Sequence, residues 1–190
     1  MGGWPTILAS SKEVYQAMAV SLYDISVASY LQTLGAVSGF LDKASAWCTD
    51  KGPDLGSLVE TRLYEDMLPL RFQLVSVVHH SLGALNGIRA GKFAPPPSLP
   101  DLDFAGLQAR IASARDELQG ASREEVDGLE GREVVFEIGD RKIPFTAEGF
   151  VQSFSLPNFY FHAATAYDIL RMKGVPLGKR DFIGQMRIKR

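Results

Sequence analysis

Residues 20–47 have the sequence VSLYDISVASYLQTLGAVSGFLDKASAW, and this stretch decides the class of fold. Its larger apolar side chains recur at steps of three and four residues, at Tyr23, Val27, Tyr30, Leu34, Val37 and Leu41. This spacing places them on one face of an α-helix, since a helix turns about 100° per residue. The stretch therefore predicts a long amphipathic helix that buries one stripe against other helices.

Three further stretches have the same period. The second helix is predicted over roughly residues 58–88, the third over 103–119, and the last from a cap at Thr146 to Lys173, with a break or kink at Pro157. Their apolar stripes are Leu63, Met67, Leu70, Leu74, Val77, Val78 and Leu85 in the second and Phe104, Leu107, Ile111, Ala114 and Leu118 in the third. Asp103 and Gly120 are suited to cap the third helix, and Gly174 and Pro176 to end the last.

A short β-hairpin is predicted before the last helix. EVVFEI at 133–138 and RKIPF at 141–145 are separated by Gly139-Asp140, a dipeptide typical of two-residue hairpin turns. Because an isolated hairpin is marginally stable and Val135 and Phe145 are expected to face outward, we expect this hairpin to support a homodimer. The fold class indicated is all-α, a bundle of four helices with one small hairpin.

Composition sets the remaining limits. A chain of 190 residues, 46% hydrophobic and with net charge -2, fits one globular domain. We divide it into an extension at 1–19, the bundle at 20–184 and a basic tail at 185–190. The single cysteine, Cys48, excludes an internal disulfide and favours a reducing, cytoplasmic location. The sequence contains no run of about 20 apolar residues, so no membrane span is predicted. The mildly acidic net charge does not favour nucleic acid as a partner.

Motifs of known chemistry are absent from the sequence. There is no HExxH, no pair of CxxC motifs and no GxSxG. GVPLGK at 174–179 is one residue too short for a phosphate-binding loop and follows a helix instead of a strand, so it does not indicate a nucleotide site. The function has to be inferred from single side chains.

The three histidines are the main candidates. Counting 100° per residue turns His79 nearly away from the core and His80 to its flank, whereas His162 points inward. Asn158 and Thr165 share the inward side with His162. This polar cluster is either a hydrogen-bonded structural network or the floor of a pocket, since an inward histidine needs a partner.

Three other residues complete the candidate site. Tyr23 and Tyr30 lie on the inner stripe of the first helix, and Asp66 is half-inward on the second. The alternative interpretation is that the tyrosines are ordinary core residues and that Asp66 is a solvated charge. The predicted substrate-binding set is Tyr23, Tyr30, Asp66, Asn158 and His162, with His162 as the best catalytic candidate.

Five blocks of sequence together carry a family resemblance. They are SLYD at 21–24, RLYEDMLPL at 62–70, FAGLQARI at 104–111, LPNFYFH at 156–162 and GVPLGKRDF at 174–182. In combination they closely resemble the domain-of-unknown-function family nineteen-ninety-three, a branch of the DinB/YfiT-like superfamily, over about residues 20–184. The resemblance implies an up-down four-helix bundle, often dimeric, in a superfamily labelled as metalloenzymes. Better-known branches hold a divalent metal with three histidines and carry out thiol-dependent transfer or isomerisation of small molecules.

Only some of the metal-ligating histidines of the related branches have a matching histidine in this sequence. Related branches use one histidine on the second helix, which His79 or His80 could supply, and two on the last helix spaced by four. His162 can match one of that pair, but Ala166 and Asn158 occupy the positions four residues away on either side. A catalytic zinc usually needs three protein ligands, so we expect no metal cofactor, with a bound divalent metal as the alternative.

Two classes of function follow. In the first, the protein binds or transforms a small molecule in a pocket between helices around His162. In the second, it is a non-catalytic structural or interaction bundle that acts as a homodimer. A polar cavity at His162 would favour the first class, and a tightly packed His162 without a void would favour the second.

Overall fold

The computed structural model describes residues 20–50, 53–96 and 101–189. The predicted extension at 1–19 lies outside these residues, as do parts of the first turn and of the proline-rich crossover. The helices are α1 (Leu22–Ile25), α2 (Val27–Asp50), α3 (Leu55–Val59), α4 (Leu70–Val78), α5 (Ala84–Ala90), α6 (Phe104–Gln119), α7 (Arg123–Asp127), α8 (Ala147–Phe150), α9 (Leu156–Met172) and α10 (Lys179–Ile183). The strands are β1 (Lys92–Phe93), β2 (Glu133–Ile138) and β3 (Arg141–Thr146).

Two of the long helices contain a π-helical segment. His79–Gly83 joins α4 to α5, and Val151–Ser155 joins α8 to α9. Helix α2 packs against α6 and α9, and α4 packs against the same two helices. The buried core therefore lies between these helices, and the described chain is mostly helical with one small sheet.

The apolar stripes were predicted well where the helix is regular. In α2, Val27, Tyr30, Leu34, Val37 and Leu41 are all fully buried. In α6, the whole predicted stripe from Phe104 to Leu118 is buried, and the Asp103 side chain accepts a 2.8 Å bond from the Gly106 N–H. Thr146 caps α8 in the same way, through the Gly149 N–H at 3.1 Å.

The predicted second helix begins too early. A short helix, α3, ends at Val59, and the long helix begins only at Leu70, so Leu63 and Met67 lie in the connecting loop. Pro69 stands at the N-cap position, where its missing N–H is no loss. Pro157 was expected to interrupt the last helix, yet it lies in the first turn of α9, and the irregularity is the π-helical segment before it.

The predicted hairpin is part of a three-stranded sheet. β2 and β3 pair antiparallel, and β1 adds to β2 in parallel. Gly139 in the turn has a φ of 55°, which favours glycine. Phe145 does not face outward as expected, because it packs against Phe150 and Phe154 at ring-centroid distances of 6.0 and 6.2 Å.

The end of the chain returns to α2. The Lys43 ammonium pairs with the Asp181 carboxylate at 2.6 Å, and the Gln32 amide donates to the Ile183 carbonyl at 3.1 Å. No helix in the described part of the chain combines the length and hydropathy needed to cross a bilayer.

Candidate functional site

The two π-helical segments meet at a hydrogen-bonded contact. The Ser155 hydroxyl donates to the His80 backbone carbonyl at 2.6 Å, and the Tyr30 hydroxyl lies 2.6 Å from the Ser155 oxygen. With its proton committed to the carbonyl, Ser155 accepts from Tyr30. A π turn inserts one extra residue and loosens the i to i−4 bonding, and such turns are frequent at functional sites. This contact fixes the backbone from which the His80 side chain projects.

Beside this contact lies a cavity of about 300 Å³, which we call the histidine cavity. Its walls come from helix α4, the first π-helical segment, strand β1 and the loop after it, strand β2, the second π-helical segment and helix α9. The lining residues are Phe72, Ser76, His79, His80, Phe93, Pro95, Pro96, Phe136, Phe154, Asn158 and His162. The three histidines of the sequence therefore border one space.

Gln73 sets the orientation of His162. The Gln73 amide NH₂ donates to the Leu68 carbonyl at 2.7 Å, so its oxygen is free to accept from His162 Nδ1 at 2.8 Å. Gln73 is buried, which leaves little freedom for a different arrangement. The proton of the His162 ring is thus placed on Nδ1, and Nε2 carries a bare lone pair.

His79 and His80 each have a buried nitrogen without a hydrogen-bond partner. These atoms are His79 Nε2 and His80 Nδ1. The His79 ring lies against the Phe93 ring at 4.4 Å between centroids, and the His80 ring stacks on that of His162 at 5.7 Å. Buried polar atoms are normally paired, so two unpaired nitrogens at a cavity are an exception that calls for an explanation.

The histidines are held neutral at pH 7. Burial, reinforced by the neighbouring imidazoles of His79 and His162, lowers the pKa of His80 from 6.5 to about 3. Burial, with the His79 ring as the second cause, lowers the pKa of His162 to about 4. Burial also lowers the pKa of His79, although the Ala94 backbone carbonyl partly opposes this. The rings therefore act as neutral hydrogen-bonding groups.

The structure brings together only two of the five predicted site residues. His162 and Asn158 both line the histidine cavity, where Asn158 Nδ2 donates to the Phe154 carbonyl at 2.7 Å. Tyr30 is fully buried behind the π-helical contact, with its ring 5.2 Å from that of Phe159. The inward Thr165 bonds to the Phe161 carbonyl at 2.8 Å within its own helix, so it does not join His162 in a network.

Tyr23 and Asp66 lie away from the histidine cavity. Tyr23 borders a separate cleft of about 600 Å³, formed with residues 184–188 near the end of the chain, and the Arg123 guanidinium lies 4.6 Å from its ring. Asp66 is exposed in the loop before α4. Its half-inward orientation was predicted on the assumption that residue 66 is helical, but the helix begins only at Leu70.

Sequence reasoning missed the other half of the site. His79 was turned outward by the helical count, yet Phe93 and the loop after β1 cover it, so the side facing away from the helix core is buried by a second layer. The Phe93, Phe136 and Phe154 rings form the apolar wall of this layer, with Phe136 and Phe154 4.6 Å apart. The excess of aromatic residues in 133–161 was the one available signal.

The residues of the histidine cavity do not match the metal centre that the family resemblance implies. Among the described residues, no group of three or more His, Cys, Asp or Glu side chains is placed to hold a metal ion. The His80 and His162 rings are within 16° of parallel, and an imidazole lone pair lies in the plane of its ring, so stacked rings do not aim at one point. This arrangement does not fit a three-histidine centre.

Comparison with known proteins places the chain in a family. No curated protein matches its sequence. The crystal structure of a DinB family member protein from Shewanella denitrificans is similar, with a TM-score of 0.72 and 28% identity over 93% of this chain and 98% of that one. The model of the family described as "Domain of unknown function (DUF1993)" matches residues 22–183. Because this match spans nearly all of the described chain, the protein belongs to the DUF1993 family, with a DinB-like fold.

Proposed function

We propose that the protein binds a small organic molecule in the histidine cavity. The observation that carries the proposal is the oriented His162 ring, whose Nε2 keeps a free lone pair at the wall of an otherwise mainly apolar space. An acceptor that is cut off from water without a partner costs about 1–3 kcal/mol, and a bound molecule that donates to it avoids that cost. Small-molecule sites typically combine apolar walls with a few polar groups of this kind.

The histidines suit binding better than proton abstraction. A general base works best when its pKa is near the working pH, and the pKa of His162 is lowered to about 4. His162 Nε2 is nevertheless a well-oriented acceptor, because Gln73 and Leu68 fix the tautomer. We therefore assign His162 the role of anchoring a donor group of the bound molecule.

A fragment screen followed by NMR tests this proposal. Fragments are added to the full chain while the ring signals of His79, His80 and His162 are recorded. We expect some fragments to shift these signals in the wild type and in Tyr160→Phe, a change on the exposed side of α9, but not in Asn158→Phe, which fills the cavity. Equal binding to folded Asn158→Phe, or no shift from any fragment, would refute a site in this cavity.

A second candidate function is self-association in a bundle of the up-down type. The mutual packing of α2, α4, α6 and α9 supports that topology, and the lone Cys48 supports a cytoplasmic location.

Ile138 and Ile143 support a dimer, because they continue the inner face of the hairpin beyond the helices and remain 46% and 42% exposed. We expect a dimer by light scattering at tens of micromolar and a folded monomer for Ile138→Lys/Ile143→Lys. A wild-type monomer would contradict this.

A further inference from the structure

We infer that the ligand of the histidine cavity is an uncharged, single-ring aromatic hydroxy compound, a phenol. This inference rests on the proposed function and adds the chemical class of the ligand. It follows from three properties of the walls: their charge, their shape and the hydrogen-bonding capacity that they leave unused.

Among the described residues, those that line the cavity carry no formal charge. None of the lining residues is Lys, Arg, Asp or Glu. The three lining histidines are neutral at pH 7, and Arg110 lies near enough to His79 to disfavour its protonation further. A charged ligand would lose its hydration without gaining an opposite charge, which costs several kcal/mol. The cavity therefore selects a neutral molecule.

The walls are flat and aromatic. Phe93 lies against His79 at a tilt of 31°, and its ring is 6.1 Å from that of Phe136 and 6.0 Å from that of Phe154. Phe72 lies 5.7 Å from His162 on another side. Aromatic rings pack favourably at such distances in tilted or edge-to-face arrangements. A space of about 300 Å³, at the small end for ligand pockets, suits one ring with small substituents.

The unused hydrogen-bonding capacity points to a hydroxyl group. His162 Nε2 needs a donor, because its tautomer is fixed by Gln73. A hydroxyl group can donate its proton to this nitrogen. A methyl group of similar size cannot, so it leaves the His162 acceptor without a partner.

A matched series of ligands tests the inference. The full chain is titrated with phenol, toluene, benzoate and benzylamine, and dissociation constants are taken from the histidine ring signals. We expect phenol to bind at least about tenfold more tightly than toluene, which corresponds to about 1.4 kcal/mol. We expect the anion and the cation to bind more weakly than toluene.

Two variants link this preference to the histidines. His162→Phe keeps a flat ring but removes the acceptor, and we expect phenol and toluene to bind it within about twofold of each other. Gln73→Met is the second variant, in case the loss of the Gln73 partner prevents His162→Phe from folding. It releases the His162 tautomer, and we expect it to reduce the preference for phenol. Tyr160→Phe, on the exposed side of the same helix, is the control and is expected to keep the full preference.

Each other result would overturn the inference. Equal binding of toluene and phenol to the wild type would refute the need for a hydroxyl, and tighter binding of benzoate or benzylamine would refute neutrality. In both cases the cavity still binds, so the proposed function stands. If none of the four compounds shifts the histidine signals, the phenol assignment fails, and the fragment screen decides separately whether the cavity is a binding site.

Discussion

Gln73 gives the His162 ring a hydrogen-bond partner at Nδ1 and thereby orients its Nε2 as an acceptor. Its amide links the ring of His162 on α9 to the Leu68 carbonyl before α4, so one buried side chain satisfies two partners. A histidine tautomer is commonly set by the hydrogen bond at its other nitrogen, and such supporting contacts are costly to remove. The consequence can be measured directly.

Replacing Gln73 by methionine should lower the free energy of unfolding by about 1–3 kcal/mol, because the Leu68 carbonyl and the His162 N–H both lose their partner. It should also release the tautomer, which the ¹⁵N shifts of the His162 ring report. Gln108→Met is the matched control, since the Gln108 amide bonds to Asp42 on the outside of the fold. Unchanged ¹⁵N shifts in Gln73→Met would show that something else holds the ring.

Acid should destabilise the protein through the histidines. An unfolded imidazole takes up a proton near pH 6.5, whereas His162 does so only near 4 and His80 near 3. Between these values the unfolded state binds more protons, so the free energy of unfolding falls as the pH is lowered from about 6.5 to 4. Because both rings are partly solvated, we expect the two together to contribute about 3 kcal/mol over this window.

Urea unfolding at several pH values checks this by comparison with His80→Gln/His162→Gln. The variant keeps the carboxylates of the protein, so the difference between the two curves isolates the two imidazoles. We expect the wild type to lose stability more steeply below pH 6.5. Parallel curves would mean that these rings are not held neutral by the fold.

At the scale of elements, sequence periodicity works where helices are uninterrupted. The stripes of α2 and α6 were predicted because a period of 3.6 holds along their whole length. Beyond the first π-helical segment the predicted stripe still holds at Leu85, which is fully buried. The two segments themselves were not predicted, because no residue type marks an inserted residue. The covering of His79 was unpredictable for another reason: Phe93 reaches it by a sheet that pairs β1 with β2 across a long stretch of chain.

The contact between the two π-helical segments should behave as a unit. Ser155→Ala leaves the buried Tyr30 hydroxyl without its acceptor and removes the bond to the His80 carbonyl, so we expect a loss of about 1–3 kcal/mol in the free energy of unfolding. Tyr30→Phe removes only the hydroxyl that donates to Ser155, so it should lower the free energy of unfolding by less. Chemical unfolding of both variants and the double mutant gives the coupling energy between them.

Ser153→Ala provides the control for that cycle. Ser153 lies in the same π-helical segment but is exposed, and its hydroxyl bonds back to the Gly149 carbonyl of its own helix. We expect its effect to stay within about 0.5 kcal/mol. If Ser153→Ala and Ser155→Ala cost the same, the contact across the segments contributes nothing particular.

At the scale of the whole molecule, the histidine cavity and the family resemblance lead to different expectations about metal. Because the His80 and His162 rings stack, and no group of three ligating side chains is placed to hold a metal among the described residues, we predict that the purified protein contains far less than one zinc, nickel or iron per chain. Elemental analysis measures this, with added EDTA expected to leave the melting temperature unchanged. About one metal per chain, lost on His162→Ala, would contradict the prediction.

The end of the chain divides into a docked part and a part that contributes little. Helix α10 is held to the body by the Lys43–Asp181 pair at 2.6 Å, by the Gln32 bond to the Ile183 carbonyl at 3.1 Å and by the Phe182 ring near Tyr167. Beyond Gly184, Met186 and Ile188 are 61% and 69% exposed, and Arg187 contacts the Asp24 carbonyl only at 3.5 Å. Residues 186–189 therefore make weaker contacts with the fold than α10 does.

Two truncations should separate these parts. Deleting residues 186–190 should change the melting temperature by less than about 2 °C, because exposed residues typically contribute under about 0.5 kcal/mol. Ending the chain at Leu177 should lower it by roughly 4–10 °C, since the loss of α10 exposes part of α2 and leaves Lys43 without Asp181. Differential scanning calorimetry of the three chains makes the comparison. A drop of several degrees from the short deletion alone would show that the basic tail is docked, and the boundary would then move towards the end of the chain.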